Sequence, residues 1–294
     1  MVLALFKLLG CLPLGVLHAI GGASGLLVYV CSRRYRHRLR DNLAQAGFDV
    51  NAMAMPAARE AGKQALETAW IWLRSPEHLQ RAVQWADEAV LKRALDDGRA
   101  VMILTPHLGC FEAIAQAYAV RPEARARPMT ALFRIPRKVI LRPLVEGTRA
   151  KENLKLAPAD VTGVRLLLRA LKRREVVGIL PDQVPTRGDG VWVPFFGKPA
   201  YTMTLPARLA HSANAIALVL GAERCGSRFR IHVDPLAEPL SGDAERDAAS
   251  INRGIEKMIL RFPVQYLWGY NRYKAPESSK HKPGRATNRA ADSA

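Results

Sequence analysis

Residues 100–120, AVMILTPHLGCFEAIAQAYAV, decide how this chain is read. Five apolar residues at 100–104 are too short a run for a helix, and their unbroken apolar character predicts a buried strand. The following GCFEAIAQAYAV predicts a helix, which makes the segment a strand, a turn and a helix. A second unit runs the other way. In GVRLLLRALKRREVVGILPDQ (163–183), apolar and basic residues alternate at helical intervals over 163–174, and VVGIL (176–180) reads as another buried strand. AIALVL (215–220) and RFRIHV (228–233) add two more strands, the last alternating as a half-exposed edge would. Upstream, residues 52–74 have helical spacing with Leu66, Ala69, Trp70 and Leu73 on one face, closed by Pro76; a second helix over 85–96 stops at Gly98. Helices alternating with short apolar strands predict an α/β sheet.

A chain of 294 residues can bury a sizeable core. Its charge is unusual: 44 Lys and Arg against 26 Asp and Glu give +18, which favours association with polyanions such as nucleic acid, anionic lipid, phosphorylated substrates or an acidic protein. The four cysteines (Cys11, Cys31, Cys110, Cys225) are scattered and lack metal-ligand spacing, which argues against a zinc site or a disulfide framework. Residues 8–31, LLGCLPLGVLHAIGGASGLLVYVC, carry no formal charge and are long enough to cross a hydrocarbon core. Arg33, Arg34, Arg36, Arg38 and Arg40 follow at once. A cleaved signal peptide has its positive charge before the apolar stretch, so the order predicts membrane attachment, with the arginines on the cytoplasmic, anionic side. Pro13 and the Gly21–Gly22 pair keep a buried core helix as the competing reading. The chain divides into a membrane-anchoring segment and basic flank (1–40), a single catalytic domain (41–274) and a tail (275–294) whose composition predicts disorder.

There is no GxSxG, GxxxxGK[ST], GxGxxG or HExxH motif, which removes several common chemistries. What remains is His107 and Glu112. Five positions within one helix are about 140° out of line. With the strand ending at Leu104 and the helix starting near Gly109, His107 falls in the turn and Glu112 in the first helical turn, where its carboxylate could reach back to one ring nitrogen and leave the other as a base. An ordinary helix start, with Glu favoured by the dipole, fits the same residues.

The wider pattern is more specific. GRAVMILTPHLGCFE (98–112) resembles the catalytic motif of the bacterial lipid A biosynthesis (lauroyl/myristoyl) acyltransferase family. RDNLAQAGF (40–48), LFRIPRKVILRPLVEGTR (132–149), GILPDQVPTRGDGVWVPFFGKPAYTMTLPARLA (178–210) and FPVQYLWGYNRYK (262–274) are similar to further family signatures, in the same order. Phe133 stands where the family usually has Tyr, and Cys110 and Phe111 where Asn-Trp is common. The resemblance implies a glycerolphosphate-acyltransferase-like fold, a mixed sheet flanked by helices with an N-terminal membrane-associated helix. It implies acyl transfer from acyl carrier protein to a hydroxyl of a phosphorylated glycolipid at the cytoplasmic face of the inner membrane, with no cofactor, no metal and no nucleic-acid partner. His107 would be the base and Glu112 its orienter. Arg149, Arg134 and Asp182 would contact substrate: Arg149 as a bidentate fork for phosphate, and Asp182, which ends a buried strand, bonded to an arginine or a backbone N–H. Other lipid acceptors, such as a lysophospholipid or an aminolipid, fit the same chemistry. A non-enzymatic basic binding protein leaves the ordered motifs unexplained.

Overall fold

The computed structural model of the chain describes residues 2–134 and 149–276. Along it run α1 (Val2–Cys11), α2 (Leu14–Cys31), α3 (Arg33–Gln45), α4 (Val50–Leu73), α5 (Pro76–Ala82), β1 (Val83–Trp85), α6 (Glu88–Asp96) and β2 (Val101–Leu104). Then come α7 (Glu112–Ala119), α8 (Glu123–Ala126), β3 (Met129–Phe133), β4 (Leu154–Pro158), α9 (Val161–Lys172), β5 (Val176–Ile179), β6 (Gly190–Phe195) and β7 (Lys198–Met203). The chain continues through α10 (Leu205–Ser212), β8 (Ile216–Cys225), β9 (Arg228–Pro235) and α11 (Ala244–Arg261).

Seven strands form one sheet in the order β1-β9-β8-β2-β5-β3-β4, parallel throughout except for the β8–β9 hairpin. β2 lies between β8 and β5 and is buried along its whole length, which is why its sequence is continuously apolar. Its pleat divides the interior: Val101 and Ile103 point into one core, Met102 and Leu104 into the other. Because β8, β2, β5, β3 and β4 run in parallel, their carboxyl ends share one edge of the sheet, the usual place for a site in such folds.

RFRIHV is not an edge. β1 pairs with it on its outer side, Val83 opposite Phe229, and the alternation of exposed Arg228 and Arg230 is confined to the hairpin end; residues 231–233 are buried in succession. Nor does Pro76 merely terminate a helix, since it opens α5 at a position where its missing N–H costs nothing. β4 and the β6–β7 hairpin went unread in the sequence because Lys and Pro interrupt their apolar pattern, and β3, MTALF, because it is short and broken by Thr130. The proposed tail lies almost wholly outside the described residues.

The apolar N-terminal helix is tightly docked. Its mean hydropathy is 1.8, yet only 39% of it is buried. One face lies against α4 with almost no side chain between the backbones. A Cβ at Gly62 would stand 2.0 Å from the carbonyl oxygen of Gly21, and one at Gly25 would stand 2.1 Å from that of Ala58. The opposite face, with Val16, Ile20, Leu27, Val28 and Val30, is exposed. The segment is a core helix on one side and an apolar surface on the other.

A buried charge network continues from that contact. Glu67 of α4 accepts from Arg224 of β8 through both oxygens, at 2.7 and 2.6 Å, and bonds His18 of α2 at 2.9 Å; Glu60 also pairs with Arg224. Burial opposes ionisation of Glu67, but Arg224 and His18 outweigh it and hold the carboxyl below its ordinary value of 4.5. Removing one partner strands a buried charge, so Glu67→Gln is expected to lower unfolding free energy by about 3–5 kcal/mol. A depressed folded pKa gives stability that is full above the unfolded value and is lost as pH falls through the folded one. Denaturant unfolding from pH 7 to pH 3 checks both: wild type should lose stability below about pH 4.5, and the variant much less.

Candidate active site

β2 delivers the chain to the carboxyl edge of the sheet, and residues 105–111 are then pinned on all sides. The Thr105 N–H donates to the Ile179 carbonyl, Gly109 N–H to the Gln265 carbonyl, and Cys110 N–H to that of Ala222; Gln64 of α4 donates to the Gly109 carbonyl. Gly109 has φ +56, and a Cβ there would stand 1.9 Å from the Ala222 carbonyl oxygen, so only glycine fits. The loop thereby holds His107 just beyond the strand end.

The carboxylate on the imidazole belongs to Asp182, three residues past the end of the neighbouring β5. Its Oδ1 lies 2.7 Å from His107 Nδ1, and its Oδ2 accepts the His107 backbone N–H at 2.8 Å. Asp182 is 3% exposed. Burial works against its charge, but the imidazole and both hydrogen bonds from residue 107 prevail, with Arg272 also nearby, and the carboxyl sits below its ordinary range. A carboxylate that only accepts requires Nδ1 to carry the proton, so Nε2 is a free acceptor, met here at 3.1 Å by the Gln183 side-chain nitrogen. Phe111 packs beside the imidazole with ring centroids 4.8 Å apart.

Glu112, expected on the imidazole, is engaged elsewhere. It is the first residue of α7, and its carboxylate is held by Arg149 Nη2 at 2.8 Å and Trp72 Nε1 at 3.0 Å. The Arg149 guanidinium lies over the Trp72 ring, 5.5 Å from its centroid, and its backbone carbonyl accepts from Gln116. Two pairs thus stand where one was read: His107 with Asp182, and Glu112 with Arg149. Arg134 is exposed at the carboxyl end of β3 and has no bonded partner among the described residues; 135–148 of its motif lie outside them. The expected backbone N–H partner of Asp182 is that of His107 itself.

Other motif residues are structural. Phe195 is fully buried in the second core, with Arg272 above its ring at 5.0 Å. Asn42 of the early signature donates to the carbonyls of Trp268 and Tyr270, fastening α3 to the C-terminal segment. Burial raises the Cys110 thiol well above its ordinary value, which suits packing and not nucleophilic attack. Gln183 was visible beside Asp182 in the sequence without a role; Trp72, forty residues from Glu112, left no local signal.

The chain was compared with known families. The family model of the bacterial lipid A biosynthesis acyltransferases matches residues 1–275. The chain belongs to that family. It is 29% identical over 275 residues to the lipid A biosynthesis palmitoleoyltransferase of Escherichia coli K12, covering 90% of this chain and 86% of that protein. It is 24% identical over 277 residues to the lipid A biosynthesis lauroyltransferase of the same organism, covering 90% and 87%. A lipid A biosynthesis acyltransferase of Haemophilus influenzae matches at 26% over 204 residues, covering 67% of this chain and 61% of the relative. Membership makes the chain an acyl-transferring enzyme of lipid A biosynthesis, and both pairs at the sheet edge come from segments that match the family.

Proposed function

We propose that the enzyme moves a fatty acyl chain from acyl carrier protein thioester to a hydroxyl of a phosphorylated lipid A precursor, on the cytoplasmic face of the bacterial inner membrane. The sheet and its flanking helices serve as a glycerolphosphate-acyltransferase-like scaffold. The observation that carries the reading is the Nδ1 contact of His107 to a buried carboxylate, which leaves Nε2 as the nitrogen that can act as a base. The acceptor hydroxyl replaces the Gln183 amide at Nε2. As its oxygen attacks the thioester carbonyl carbon, Nε2 takes its proton; the carbon–sulfur bond then breaks, and the imidazolium protonates the departing thiolate. Asp182 holds the tautomer and stabilises the transient cation. This corrects the role first given to Glu112, which instead aims Arg149. Arg149 bonds Glu112 through Nη2, and its remaining N–H groups, which have no side-chain partner among the described residues, suit an acceptor phosphate or the developing oxyanion.

Transfer to an under-acylated lipid A precursor, followed by mass spectrometry, tests the assignment. His107→Ala and Asp182→Asn should each reduce turnover by roughly a hundredfold to ten-thousandfold. The double variant should be about as slow as His107→Ala alone, because Asp182 acts through the imidazole; additive losses would remove the dyad. Arg149→Lys and Glu112→Gln should both weaken use of the phosphorylated acceptor, since an ammonium lacks the planar fork and an amide no longer fixes the guanidinium. Wild-type kinetics for Arg149→Lys would leave that residue without a role.

Membrane attachment is supported by the exposed apolar face of α2 and the arginines beside it. Deleting residues 1–31 would also strip α4, so the informative change is Leu27→Asp with Val30→Asp on the outward face. Flotation with anionic vesicles should show much weaker binding while the folded core is kept. Unchanged flotation would place the membrane contact elsewhere.

A further inference from the structure

Among the described residues, large apolar side chains are exposed mainly on α1 and α2; two of the others lie on α9, Val161 at its start and Leu166 beside Arg165 and Arg169. Val161 is 68% exposed and Leu166 37% exposed. Arg165, Arg169 and Lys172 are exposed on the same helix: Arg165 and Arg169 are four apart, Arg169 and Lys172 three apart, and Leu166 is three before Arg169, so the cations form one stripe with Leu166 at its margin. The helix, VTGVRLLLRALK, contains no acidic residue, and none of these three cations has a carboxylate partner among the described residues.

We propose that this face of α9 is where the acidic acyl carrier protein docks. The inference rests on the acyl-transfer reading above and adds where the donor is held. Two observations favour a protein partner here over the lipid surface. A helix lying in a bilayer interface needs its apolar face free, but the apolar face of α9 is spent on the sheet: Leu167, Ala170 and Leu171 are buried in the second core. What remains outward is a cationic stripe with a small apolar margin, complementary to an acidic helical surface.

Geometry also connects α9 to the reaction. Its first turn is clamped to the carboxyl end of β4, where Asp160 accepts the Gly163 N–H at 3.0 Å and a Cβ on Gly163 would come within 1.7 Å of the Pro158 carbonyl oxygen. β4 and β2 are three strand spacings apart in the same parallel array, about 14 Å. A carrier seated on Val161, Arg165 and Leu166 would therefore send its flexible thioester arm along one sheet edge to His107.

The test compares two donors with the full-length enzyme: an acyl chain on acyl carrier protein, and the same chain on pantetheine, which has the arm without the protein. Arg165→Glu with Arg169→Glu should raise KM for the carrier-bound donor roughly tenfold or more and flatten its salt dependence, with kcat and the pantetheine reaction unchanged. Arg165→Gln with Arg169→Gln should give an intermediate KM and covers the case in which charge reversal prevents folding. Direct titration of the carrier onto each variant should weaken in the same order. Equal loss with both donors, or no change in carrier KM, overturns the proposal. So does weaker flotation with anionic vesicles at unchanged carrier KM, which would make the stripe a lipid contact. A wild-type enzyme that transfers from neither donor would instead refute the acyl-transfer reading itself.

Discussion

Arg224 is a permanent cation buried in the middle of this protein, and its compensation organises much of what surrounds it. Burial is affordable only because Glu67 binds it through two oxygens and Glu60 adds a second carboxylate. Both acids lie on α4, so the helix must sit directly on β8. His18 is drawn to the same Glu67, which commits α2 to one position along α4. Gln265 bonds the backbone of Arg224 in both directions, and its own carbonyl receives Gly109. One buried charge therefore connects the apolar N-terminal helix, the sheet, the C-terminal segment and the loop that carries His107.

That arrangement explains why the N-terminal segment cannot be regarded as a detachable anchor. Glycine-to-backbone contacts and a charge network both need exact register, and each is lost if the helix slides by a residue. An apolar surface with basic neighbours, held rigidly on the catalytic scaffold, fixes the height of the site relative to any membrane that surface enters. Through Phe6, packed 5.7 Å from the Trp72 ring, even α1 reaches the residue that steadies Glu112.

The two acid pairs divide the work by environment. Asp182 is enclosed and accepts two hydrogen bonds from a single residue, so it fixes a ring orientation and a tautomer. Glu112, at the start of a helix, is bonded to an indole and a guanidinium and serves to hold a cation in place. Both Glu112 oxygens are turned to Trp72 and Arg149, and the imidazole has its own carboxylate in Asp182.

The sequence by itself determined the α/β class, the strand preceding His107, the later helix–strand unit, the two strands after it and the family, because these rest on periodicity and on contiguous motifs. It also marked out His107, Glu112, Asp182 and Arg149, since each stands in a short conspicuous segment. Which carboxylate meets the imidazole was decided only by the tertiary structure. His107 and Glu112 are close in sequence, but His107 and Asp182 follow the ends of adjacent parallel strands, and β2 pairing with β5 brings residues 75 positions apart within 2.7 Å. The same holds for β1 capping β9, and for Trp72 and Arg224, whose partners lie far along the chain. Local spacing encodes elements and turns; strand order and buried charge compensation are properties of the assembled sheet.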